Sequence, residues 1–189
     1  MKAAKTFFVM LYIQLVLQYG IIPVIIFGTD ENTGEFKPWA VVFGVLLLIS
    51  FVAVQVVGWI SAVTAVKMHF NSEHEALKKS WKLLKLKTIP FYIFNFIYGV
   101  LYIIMIIGAS RGLAVIAVIP VLVPIWYTCA FIVQSGFFGA ANVMAMRKKY
   151  GDNISVIHYV LQFLPVLDVI GTLILRNKCK KLETAATIE

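Results

Sequence analysis

Long apolar runs alternate with short charged stretches along this chain, and the lengths of the runs limit what they can be. Between about residues 6 and 27 the run is interrupted only by Gln14, Gln18 and Pro23, and from Pro38 to Val66 no ionisable residue occurs. Further apolar runs cover about 89–107, 113–146 and 154–175. A helix rising ~1.5 Å per residue needs ~20 apolar residues to cross ~30 Å of hydrocarbon. The pattern predicts an all-α fold, a polytopic helical membrane bundle with four or five transmembrane segments, as a single domain over residues 1–189. The run 113–146 would reach ~50 Å, so its outer part is expected to kink at Pro120 and Pro124 and its last turns to project from the membrane. The connector 108–112 is short enough to force an antiparallel neighbour.

Between the second and third runs lies a different pattern. Ser72-Glu73-His74-Glu75 has the form of a capping box, with Ser72 as cap and Glu75 reaching back. Leu77, Trp81 and Leu84 then recur at i, i+4 and i+7, while Lys78, Lys79, Lys82 and Lys85 occupy most of the rest of the wheel. This predicts a basic amphipathic interfacial helix over about 72–87, with Lys78, Lys79, Trp81, Lys82 and Lys85 at the membrane surface.

Composition agrees with a lipid environment: 61% of residues are hydrophobic and 14% charged, against about a quarter charged in soluble domains. The net charge of +8 is concentrated beside the apolar runs. There it sets topology and meets anionic headgroups, and it implies no nucleic-acid partner. Met1-Lys2-Ala3-Ala4-Lys5 resembles the basic start of a signal peptide. The apolar run that follows exceeds the ~7–15 residues of such a leader and no A-x-A site follows it, so an uncleaved first span is expected.

With the amino terminus inside, Lys2, Lys5, Lys67, Lys78, Lys79, Lys82, Lys85, Lys87, Arg147, Lys148 and Lys149 lie on the inner side. Lys37 and Arg111 lie on the outer. Eleven against two orients the chain with its basic loops in the cytoplasm. The run 154–175 leaves two arrangements open. If it crosses, the basic tail from Arg176 lies outside, against this rule; if it breaks at Pro165 and re-enters or lies at the inner interface, every basic cluster agrees. The tail 176–189 reads as disordered.

Chemistry concentrates in that contested run. Asp168 is the one carboxylate well inside an apolar segment, where a charge costs ~2.5–3.5 kcal/mol. His158, Gln162, Pro165, Asp168 and Thr172 follow steps of four, three, three and four, one stripe on a helix. The stripe could be a proton or cation path, a set of packing hydrogen bonds to Gln14, Gln18 or Asn95, or, for Asp168, a cap on a half-helix after Pro165. Gln14 and Gln18 share a face and suit interhelical contacts. The pairs Gly58 with Ala62, Ser61 with Ala65, Ser135 with Gly139 and Gly136 with Ala140 permit close helix approach. Cys129 and Cys179 suggest no disulfide framework. His69, Glu73, His74 and Glu75 match no zinc spacing, so neither metal nor cofactor is expected.

The stretch Val156-Ile157-His158-Tyr159-Val160-Leu161-Gln162-Phe163, continuing through Leu167-Asp168-Val169-Ile170, resembles the last segment of uncharacterised small multi-pass membrane proteins of Gram-positive bacteria. That resemblance implies a bacterial plasma membrane and carries over no functional residue. The expectation is a non-enzymatic accessory, assembly or self-protection factor, with the bilayer, a membrane protein or a second copy as partner. A small oligomeric transporter or channel using Asp168 is the alternative, and a membrane enzyme acting on lipid the third.

Overall fold

The computed structural model describes residues 2–30, 33, 35–109, 114–151, 154–164 and 167–188, with backbone alone for 25, 26, 105–109, 114–121, 123, 124, 168, 179, 180 and 182–188. Its helices are α1 (Lys2–Phe27), α2 (Pro38–Phe70), α3 (His74–Leu86), α4 (Ile89–Ala109), α5 (Ala114–Tyr150), α6 (Ile157–Leu161) and α7 (Leu167–Ile188). Among the described residues four helical stretches are long and apolar enough to cross a membrane: Lys2–Val24, Pro38–Phe70, His74–Ile104 and Ile125–Tyr150. The protein is a multi-pass, all-α membrane bundle.

Side-chain contacts fix the helix directions. Ser50 of α2 donates to Gln14 Oε1 of α1 at 2.5 Å, and Phe43 faces Gly20, so α1 and α2 are antiparallel. Tyr12 and Tyr19 of α1 donate to the carbonyls of Lys87 and Phe94 at 2.9 and 2.6 Å. Each pair advances by seven residues, two helical turns, so α1 and α4 run in parallel. Phe51 lies beside Tyr127, and Trp59 beside Phe137, which aligns α2 with α5. The bundle is therefore up-down-up-down. An aromatic cluster joins its helices: the Phe91 ring of α4 lies 5.4 Å from Phe131 and 5.9 Å from Tyr127, both on α5.

The connectors follow from their residues. In the polar connector after α1, Asp30 N–H donates to Glu35 O and Lys37 N–H to Gly28 O, at 2.8 and 2.7 Å. The Lys37 ammonium reaches Phe27 O at 3.0 Å, satisfying a carbonyl at the end of α1. The turn from α2 to α3 differs from the expected capping box. Ser72 adopts φ 59°; its N–H donates to His69 O, and Glu73 N–H donates to Met68 O. This is the Schellman pattern. Ser72 thus closes α2, and the N-cap of α3 is Glu73, with no side-chain cap bond.

Two further expectations change. The contested run is not one helix: α6 ends at Leu161 and α7 begins at Leu167. The apolar part of α7, Leu167–Leu175, would span only about 14 Å, short of the hydrocarbon thickness. The tail read as disordered is helical to Ile188; its lysines, alanines and leucine are good helix formers. α5 remains helical through Pro120 and Pro124. Arg111 and the centre of its connector lie outside the described residues, as do Asp152, Asn153 and Pro165.

Candidate functional site

Helix α3 does not lie with its lysines all at the surface. Its apolar stripe packs into the bundle, with Leu77, Trp81 and Leu84 fully buried. Lys85, four residues after Trp81, shares that face and is fully buried as well. Lys79 is exposed and Lys78 and Lys82 are half-buried. Trp81 and Lys85 thus depart from the expected surface placement, because residues at i and i+4 go to the same side of a helix. The burial of Trp81 takes its neighbour along.

The Lys85 ammonium donates to Ser135 Oγ of α5 and to the carbonyl of Gln162, just after α6, both at 3.2 Å. Gln162 is the hub of this junction. Its Oε1 accepts from Trp81 Nε1 at 3.4 Å and from Thr172 Oγ1 of α7 at 3.5 Å. Gln162 and Thr172 are both fully buried. The hub can sit there because α5 presents glycines. A Cβ on Gly139 would overlap the Gln162 amide, and one on Gly136 would stand 2.6 Å from the Phe163 ring and 3.0 Å from Gln162 O. The small residues Ser135, Gly136 and Gly139 therefore form a notch into which the broken segment after α6 drops. The break frees the Gln162 carbonyl from continuous helical bonding and turns it toward a cation.

A serine beside a lysine can be a nucleophile and its base when the lysine accepts the serine proton. Here the Ser135 hydroxyl donates to Ile132 O at 3.2 Å, and the lysine is the donor to both oxygens. The geometry holds the Lys85 ammonium between two oxygens.

The predicted stripe is thus folded back on itself. Gln162 and Thr172 meet across the break. His158 is buried on α6, its Nδ1 without a hydrogen-bond partner. Burial, and secondly the charge of Lys178, hold its pKa below the usual histidine value. Asp168 is the second residue of α7; its side chain lies outside the described residues. The other polar positions tie helices elsewhere. Gln14 meets Ser50, and Asn95 donates to Thr128 of α5. Gln18 is buried with Oε1 unpartnered. Among the described residues of the stripe, Gln162 accepts from Trp81 and Lys85 of α3 and from Thr172 of α7. Sequence reasoning did not single out Gln134, whose Nε2 donates to Gln55 Oε1 of α2 at 2.8 Å while its amide fills the space over Gly58. Gly58 was the available signal, a small residue waiting for a large neighbour.

No curated protein and no solved structure matches the chain. A family model does match, over residues 2–181, and by that match the chain belongs to DUF6652, a family of unknown function.

Proposed function

We propose that this protein is a non-enzymatic assembly factor of a bacterial plasma membrane, oriented with its amino terminus and basic loops in the cytoplasm. One observation carries the reading: interior polar side chains bond helix to helix. Gln14 to Ser50, Asn95 to Thr128, Gln134 to Gln55 and Gln162 to Trp81 each join two different elements. Such bonds make a rigid scaffold, worth about 0.6–1.7 kcal/mol each in a bilayer. The break between α6 and α7 supports the orientation, since a segment that turns back leaves the basic tail beside the other basic loops. The resemblance of the last segment to small Gram-positive membrane proteins supports the bacterial assignment.

A scaffold of this kind needs a client. Extraction of the tagged full chain in mild detergent should return one membrane protein in fixed stoichiometry, and the level of that protein should fall when the chain is absent. A monomer that drives proton or cation flux in proteoliposomes, with flux lost in Asp168→Asn, would replace the scaffold by a transporter.

A further inference from the structure

We infer that the cavity between the first turn of α3 and the last turns of α5 is a binding site for a phosphate-bearing anion. The cavity measures about 320 Å³ and is lined by Lys78 of α3 and by Lys148 and Lys149 of α5, with Glu75 the carboxylate in its wall. Among the described lining residues, three ammonium groups stand against one carboxylate, a positive balance.

Two neutral groups in the wall point independently to a ligand. The Tyr150 hydroxyl is buried and has no hydrogen-bond partner among the described residues. Asn142 is 2% exposed, and among the described residues its amide nitrogen donates to the weak acceptor Met146 Sδ, at 3.6 Å. A buried hydroxyl left unsatisfied is destabilising, and a phosphate oxygen would accept from both groups. Lysines bind phosphate as point charges and tolerate varied geometry. Ala145 and Met146 supply an apolar wall that suits the carbon part of a phosphate ester. The volume lies at the lower end of small-ligand sites and admits a headgroup or a small soluble phosphate, not a whole phospholipid. The inference stands apart from the scaffold reading: a client protein could be absent and the anion still bind.

The test uses the full chain in zwitterionic micelles with two probes, pyrophosphate in solution and phosphatidylglycerol doped into the micelles, with phosphatidylcholine as reference. Binding is read as a shift in unfolding midpoint and by titration. Either probe should bind, and the triple variant Lys78→Gln, Lys148→Gln, Lys149→Gln should weaken it at least tenfold. The charge-matched triple Lys2→Gln, Lys5→Gln, Lys79→Gln removes exposed lysines that do not line the cavity and should stay within twofold. A pyrophosphate response identifies a soluble phosphate; a response to phosphatidylglycerol alone identifies a lipid headgroup. Equal losses in the two triples would mean diffuse surface charge and overturn the site, as would silence from both probes. Should the first triple not fold, Tyr150→Phe and Asn142→Ala decide: about threefold weaker binding in each supports the site, and unchanged binding in both removes it.

Discussion

Helices α2 and α5 have nearly the same length, 33 and 37 residues, yet they meet different solvents. Over the most apolar window within Pro38–Phe70 of α2, 11% of residues are buried at mean hydropathy 2.8, and over that within Ile125–Tyr150 of α5, 67% are buried at mean hydropathy 1.5. Of these two described stretches the more hydrophobic is the more peripheral. In water the order would be reversed, because burial is what apolar residues gain from folding there. In a bilayer the lipid already solvates leucine and valine, so the centre of the bundle is chosen by polarity and small size. α5 carries Thr128, Gln134, Ser135, Gly136, Gly139 and Asn142 toward its neighbours. α2 keeps one seam, including Gly58, Ser61, Ala62 and Ala65, and gives the rest to lipid.

The strongest way to break this contrast is to place the same side chain on each helix. Gly139→Leu should fill the notch that holds Gln162 and lower stability by about 3 kcal/mol, in the upper range for overpacking. Gly44→Leu on α2, where an added Cβ meets nothing within 4 Å, should stay within about 0.5 kcal/mol. Unfolding midpoints in one detergent compare the two; equal losses would end the distinction between a packed and a lipid-facing helix. A second contrast lies within α3. Lys85→Met strands the Ser135 and Gln162 oxygens without their donor and should cost about 2 kcal/mol, whereas Lys79→Met on the exposed side should cost under about 0.5 kcal/mol. A neutral Lys85→Met would show that the junction tolerates an apolar side chain and that the cation is dispensable.

The smallest effect concerns pH. The folded protein holds the pKa of His158 below its ordinary 6.5, so the unfolded chain takes up a proton that the folded chain resists. Stability from this residue is present at neutral pH, declines as pH falls through 6.5, and goes on declining until the folded imidazole protonates. His158→Gln should flatten the slope of unfolding midpoint between about pH 7.5 and 5.5. An unchanged slope would assign the dependence to other groups.

What could be read from residue order was whatever depends on near neighbours. The apolar runs at 6–27, 38–66 and 89–107 lie within α1, α2 and α4, because run length against bilayer thickness is a local property. Pro165 marked the break between α6 and α7 in advance, although the regular spacing of the polar stripe around it favoured a continuous helix. The junction itself was hidden. Lys85 lies 50 residues from Ser135 and 77 from Gln162, and no local pattern distinguishes an ammonium bound for the interior from its surface neighbours. Its place four residues after Trp81 was the one local hint. Ser72 misled for another reason: the same residues serve a capping box or a Schellman turn, and the closeness of α2 to α3 chose the second.

The wide separation of Lys85 from its partners also dictates an order of events during synthesis. The ammonium leaves the ribosome 77 residues before the carbonyl that will hold it, a wait of about 4–15 s at 5–20 residues per second. Until then Lys85 lacks its full set of acceptors, Ser135 following after 50 residues and Gln162 after 77, and the cheapest place for α3 is the aqueous edge of the membrane. The short link Lys87–Thr88 lets α4 insert while α3 waits outside. Closure of the bundle is then a late step, triggered when the segment after α6 emerges and locks the lysine beneath it.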